Sequence, residues 1–142
     1  MQQANHKLVS EFVEQIWNKQ NFEKLDDFIH PEFKDFSLPP ALTPDKEGLK
    51  NWIMATCASF EHKTVIEDQV TEGDKSIVKI RMELKHIGVW RDMPPTNLEV
   101  LTQGYRFFKI KAGKILEHWA LIDGQAIESQ LKGASNGCTL PR

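Results

Sequence analysis

GYRFFKIKAGKILEHWALID, residues 104–123, alternates in character on both sides of the turn LysAlaGlyLys. Side chains that change face at every residue mark half-buried strands, and a short Gly-containing break between two such runs marks a hairpin. The first of these strands extends back to Asn97. Ser76 to Trp90 alternates in the same way, with Ile77, Lys79 and Arg81 set against Val78, Ile80 and Met82. Val65 to Glu72 forms one more strand before a Glu-Gly-Asp turn. Upstream the period becomes helical: Leu8, Val9, Phe12, Val13 and Ile16 make one apolar stripe over residues 5–18, with Trp17 beside it. A second helix covers Phe22 to Ile29 and stops before Pro31. A short strand follows in ProGluPheLysAspPhe, then a loop holding Pro39, Pro40 and Pro44. A third helix covers Lys46 to Phe60, a closing helix covers Gly124 to Leu131, and a polar tail ends the chain. Helices segregated from hairpin-linked strands imply an α+β fold with an antiparallel sheet. Long, twisted strands covered on one face by three helices curl around a pocket.

At 142 residues the chain suits one domain with a core of its own. A composition of 40% hydrophobic and 27% charged residues, with a net charge of −2, argues against disorder and against a nucleic-acid footprint. No run of about 18 apolar residues suggests a membrane span, and nothing resembles a leader peptide. Cys57 and Cys138 have neither metal-ligand spacing nor a disulfide framework, so they read as reduced thiols in a cytoplasmic protein. Five scattered histidines, even with Glu117 beside His118, do not make a metal site. His6, His30 and His62 read as solvated residues.

The last strand is apolar yet ends on Asp123. Carboxylates are rarely buried, because hydrocarbon cannot replace their water. Alternation puts Ile115, Glu117, Trp119, Leu121 and Asp123 on one face, and Leu116, His118, Ala120 and Ile122 on the other. In an apolar enclosure near Trp119, the Asp123 pKa would rise and its carboxylate could remove a proton beside a carbonyl. An Asp directly before Gly124 would equally cap the closing helix. His86, late in its strand, is a second candidate for hydrogen-bonding a substrate oxygen or carrying a proton, or it is structural. Trp17, Trp52, Trp90 and Trp119, with Phe33, Phe36 and Phe107, either fill a core or make flat walls for a planar ligand. Met93, Gln103 and His118 complete the expected ligand-facing set. Residues 36–45 and 90–96 would form the rim.

Four segments together resemble one family. FVEQIWNKQNFEKLDDFIHPEF (residues 12–33), HIGVWRDMPPT (86–96), residues 104–123 and QLKG (130–133) are similar, in this order, to SnoaL-like polyketide cyclases over residues 5–133. The resemblance implies the nuclear-transport-factor-2-like fold, in which a curved sheet and helices form a cone with a deep pocket, and a homodimer packed through the sheet. It also implies a small apolar or aromatic carbonyl ligand, closed into a ring by intramolecular aldol condensation with no cofactor and no metal. The family's acid/base is the Asp after the Glu-His-Trp strand, Asp123 here, which favours the pocket-facing reading. His86 matches the histidine of His-x-Gly. The chain departs from the family in having Asp35–Phe36 for Asp-His, Leu84–Lys85–His86 for Gly-Thr-His, and no histidine in TyrArgPhePheLys. These departures leave the base in place and bear on the substrate. Two alternatives stand beside the cyclase: an isomerase, whose one base returns its proton to another carbon, or an epoxide hydrolase, which needs Glu117 or Asp35 to point inward; and a non-catalytic carrier with Asp123 as a cap.

Overall fold

A computed structural model describes residues 2–135. Helix α1 (Gln2–Phe12) runs without a break into a π-helical turn, Val13–Asn18. A 3₁₀ turn (Phe22–Lys24) and the single turn α2 (Leu25–Phe28) lead into strand β1 (Ile29–Asp35). After the proline loop come α3 (Lys46–Ser59), β2 (Phe60–Glu72), β3 (Lys75–His86), β4 (Glu99–Lys111), β5 (Lys114–Ile122) and α4 (Gly124–Ser135). The expected tail lies outside the described residues from 136 onward, as does Cys138. The strand order is β1-β5-β4-β3-β2.

The α+β class and the curved sheet are as expected, with local differences. β2 begins five residues early because α3 passes into it directly at Phe60. β3 ends at His86 rather than Trp90, where the chain turns into an irregular segment before β4. β1 pairs with β5 in parallel, so the sheet is not wholly antiparallel. β1 reaches the sheet from α2 and not from a hairpin, so no tight turn imposes antiparallel pairing. Pro31 lies inside β1, which is tolerable because β1 is an edge strand.

The helices cover one face of the sheet. Val9, Phe12, Val13, Ile16 and Trp17 pack against Val78, Ile80, Phe108 and Ile110, and Phe12 meets Phe28 and Phe108 edge to ring at 6.1 and 5.9 Å. Burying such side chains contributes roughly 1.5–3 kcal/mol each, the main source of stability. The Lys111–Lys114 turn places Ala112 and Gly113 at φ of 52° and 75°, the left-handed pair that a two-residue hairpin needs. β5 contains a bulge: Lys109 pairs with Glu117 but Ile110 pairs with Ile115, so Leu116 is extra. Beyond β5's end, α4 lies along the uncovered edge of β4. The Gln130 side-chain amide accepts from Leu101 N–H at 3.2 Å and donates to Leu101 C=O at 2.7 Å, standing in for a missing strand.

Candidate active site

Inward positions of the sheet should be apolar, and on β3 they largely are. On β4 they are Val100, Thr102, Gly104, Arg106, Phe108 and Ile110, so one arginine faces the core. The bulge at Leu116 sets the facing of β5. Ile115 and His118 are both buried, while Trp119 and Leu121 face outward. A bulge re-aims the residues after it, which is why simple alternation from Ile115 assigns them to the wrong face. At the end of β1, Asp35 also turns inward and is 1% exposed.

These three side chains meet. His118 Nδ1–H donates to Asp35 Oδ2 at 2.7 Å, and Arg106 Nη1–H reaches His118 Nε2 at 3.4 Å. Asp35 Oδ1 accepts from Ser37 N–H and Oγ–H at 2.9 and 2.6 Å. The guanidinium lies 4.2 Å from the Trp17 ring, a cation–π contact. Burial pushes the Asp35 carboxyl up, but the bonds from His118 and Ser37 outweigh it and leave the group below its ordinary range. Burial pushes His118 down, with Arg106 adding to this and Asp35 opposing it. Burial also brings Arg106 down to about 10, against the pull of Asp35. At neutral pH the cluster therefore holds an ionised Asp35, a neutral His118 and a charged Arg106.

Two hollows open beside this cluster and share Trp17, Trp52, Arg106 and Ile122 in their walls. The smaller, about 240 Å³, also touches Asp35, His118 and Ala120. The larger, about 380 Å³, is walled by Phe60, Met82, Leu84, Trp90 and Ile127. Arg106 Nε and Trp17 Nε1 are buried and find no acceptor among the described residues. A wider groove of about 600 Å³ crosses the ends of β2, β3 and β4. Its walls carry Glu61, His62, Lys63, Glu83, Lys85 and Glu99; His62 Nδ1 is also buried without a partner, but none of Asp35, Arg106 and His118 reaches this groove. Among the described residues no three metal-ligating side chains converge, and no helix is long and apolar enough to cross a membrane.

The family model for SnoaL-like polyketide cyclases matches residues 7–131. The chain belongs to this family. Among solved structures, TsrD from Streptomyces laurentii superposes with a TM-score of 0.81 at 22% identity, covering 92% of this chain and 96% of that one. IdmH from Streptomyces antibioticus gives 0.80 at 21% identity, covering 90% and 98%. A SnoaL-like polyketide cyclase from Agrobacterium tumefaciens gives 0.75 at 18% identity, covering 89% and 97%. No curated protein matches the chain.

Asp123, the residue the family resemblance points to, lines neither of the two hollows beside the Asp35–His118–Arg106 cluster and borders instead a separate hollow of about 280 Å³ with Arg81, Thr102 and Gln103. It is exposed, and its Oδ1 accepts from Ala126 N–H at 2.9 Å, the bond of a helix N-cap. Its backbone carbonyl accepts from Thr102 Oγ–H at 2.6 Å, which holds the strand end in that orientation. His86 is fully buried, but its Nδ1 accepts from Thr96 N–H at 3.3 Å and neighbours Thr96 Oγ1 at 3.1 Å; it lines neither hollow. Trp17, Trp52, Trp90 and His118 do line the hollows. Phe36 and Trp119 stack on each other at 4.4 Å on the outer face, nearly half exposed, Trp119 because the β5 bulge turns it outward and Phe36 because it follows the inward-facing Asp35. Gln103 also faces out, Phe33 is buried in the core, and Met93 packs against the core's edge. His62, read as solvated, is largely buried. It donates to or accepts from Thr64 Oγ1 at 2.6 Å, and burial together with Arg106 lowers its pKa to about 4. Asp35 meets the inward condition of the hydrolase alternative, yet both its oxygens are engaged by His118 and Ser37. Arg106 was legible as a charged residue at an inward position of an alternating strand. Nothing in the sequence announced that Asp35, 83 residues away from His118, would meet it.

Proposed function

We propose that this family member removes a proton beside the carbonyl of an apolar or aromatic ligand, the step that opens an aldol-type ring closure. His118 is the base and Asp35 is its positioning residue. With Nδ1–H committed to Asp35, the lone pair of His118 lies on Nε2, which Arg106 Nη1–H engages at 3.4 Å, and it is released as a base when Arg106 turns that N–H to the oxygen of a ligand in the smaller hollow. The enolate oxygen is received by the Arg106 guanidinium, which lines both hollows. The observation that carries the reading is the convergence of Arg106 and His118, backed by buried Asp35, on the wall of the smaller hollow, with Arg106 shared by the larger one and its Nε left without an acceptor. An unmet buried donor costs roughly 1–3 kcal/mol, and a ligand oxygen that gains charge during reaction recovers it where it favours the transition state. Proton return from His118 to another carbon would make the same site an isomerase.

The test is deuterium exchange into the carbon acid of a naphthyl β-keto ester, followed by NMR. Wild type accelerates exchange, and His118→Ala loses that acceleration while still binding the ester. Equal rates in the two proteins would instead support the carrier alternative, which the capping role of Asp123 favours.

We also infer that two copies pair through the outer face of the sheet, as the family resemblance implies. Leu101, Tyr105, Trp119 and Leu121 support this by leaving an apolar band in solvent, with Leu121 78% exposed. Sedimentation should report a dimer that Leu121→Glu converts to monomer.

A further inference from the structure

The larger hollow holds a second arginine that deprotonation does not use. Arg91 lines the same walls as Arg106 but is half exposed, so it stands where the hollow meets solvent. It is held there by an unusual backbone. Trp90 and Met93 exchange N–H to C=O bonds of 3.0 and 2.9 Å, enclosing Arg91 and Asp92 at φ of 47° and 64°. A two-residue turn of that type favours Asn-Gly, and side-chain-bearing residues at both positions pay in strain, a cost that tends to persist where a side chain must be aimed. Gly124 completes the seat, since a Cβ there would lie 2.7 Å from Arg91 Nη2. The Trp90 ring lies 4.5 Å from the guanidinium.

Arg91 Nη1–H donates to Glu128 Oε1 at 3.1 Å, but Glu128 Oε2 also takes Lys132 Nζ at 2.9 Å. One carboxylate thus answers two cations, and Glu128 keeps a partner if Arg91 turns to a ligand. We propose that Arg91 binds a carboxylate on the ligand, so that the pocket selects aromatic keto acids: the acid at the mouth on Arg91, the rings among Trp52, Phe60 and Trp90, and the carbonyl at Arg106. The planar fork of a guanidinium matches a carboxylate with two parallel bonds. The placement of the carbonyl rests on the function proposed above; the acid at Arg91 stands on its own geometry.

Binding of 2-naphthoate and of the uncharged 2-naphthamide, followed by tryptophan fluorescence, tests this without any turnover. Wild type binds the acid about tenfold or more tightly than the amide, the scale of a charge-assisted hydrogen bond. Arg91→Gln abolishes the preference, and Glu128→Gln, which frees Arg91 from its internal carboxylate, widens it about threefold. His118→Ala leaves it unchanged, so loss of exchange in that variant bears only on the catalytic proposal. A preference that survives Arg91→Gln, or a wild type without one (binding of neither probe included), overturns the assignment.

Discussion

His118 and Asp123 lie five residues apart around the end of β5 and occupy opposite environments. One is 3% exposed, bonded to a buried carboxylate and facing an arginine; the other is in solvent, holding the first turn of α4. An odd separation along a strand already puts two side chains on opposite faces. The bulge at Leu116 then assigns the inward face to the histidine. A carboxylate following an apolar strand is therefore not evidence of a buried carboxylate. The chain can turn an isolated acid outward at no cost and bury an acid that arrives with hydrogen-bond partners.

The comparison is broken most directly by exchanging which residue matters for turnover. His118→Ala should reduce proton exchange by about 10²-fold or more, and Arg106→Met by about 10²–10³-fold, whereas Asp123→Asn should leave it within about twofold. Loss of exchange in Asp123→Asn at an unchanged melting temperature would return the catalytic role to that residue. The pH profile sharpens the contrast. Because burial lowers the His118 pKa, its basic form persists below the ordinary histidine range. kcat/KM should stay level from neutrality through pH 6.5 and fall only in more acidic solution.

Stability gives the next effect in size. His62 drops from 6.5 to about 4 on folding, so between those values the unfolded chain binds more protons. Its contribution is complete above pH 6.5 and is lost as pH falls through about 4, up to about 3 kcal/mol. Urea denaturation at pH 7 and pH 4.5 should show a smaller acid loss in His62→Phe than in wild type. The smallest effect belongs to the cap. Asp123→Ala should cost about 1 kcal/mol by thermal unfolding, and Asp123→Asn, which keeps the acceptor, much less.

The sheet, the hairpin at Ala112–Gly113 and the helical stripe ending at Trp17 were legible because each depends on local periodicity or on a turn's backbone needs. The parallel pairing of β1 was not, since it depends on where α2 delivers the chain. The site was half legible. Trp17, Trp52, Trp90 and His118 follow from apolar positions near the cluster, whereas the Asp35–His118 contact depends on a bulge and on a register between strands distant in sequence. Neither leaves a periodic trace. Arg106, in TyrArgPhePheLys, is legible as a charge at an inward position of an alternating strand, though its partners are not.

The amide of Gln130 against Leu101 ties architecture to chemistry. The helix that seals the open flank of β4 also brings Gly124, Ile127 and Glu128 to the pocket entrance. Docking of this last segment therefore finishes the binding chamber and silences a sticky strand in one stroke. A protein trimmed before residue 124 would lose its doorway and gain a template for self-association together.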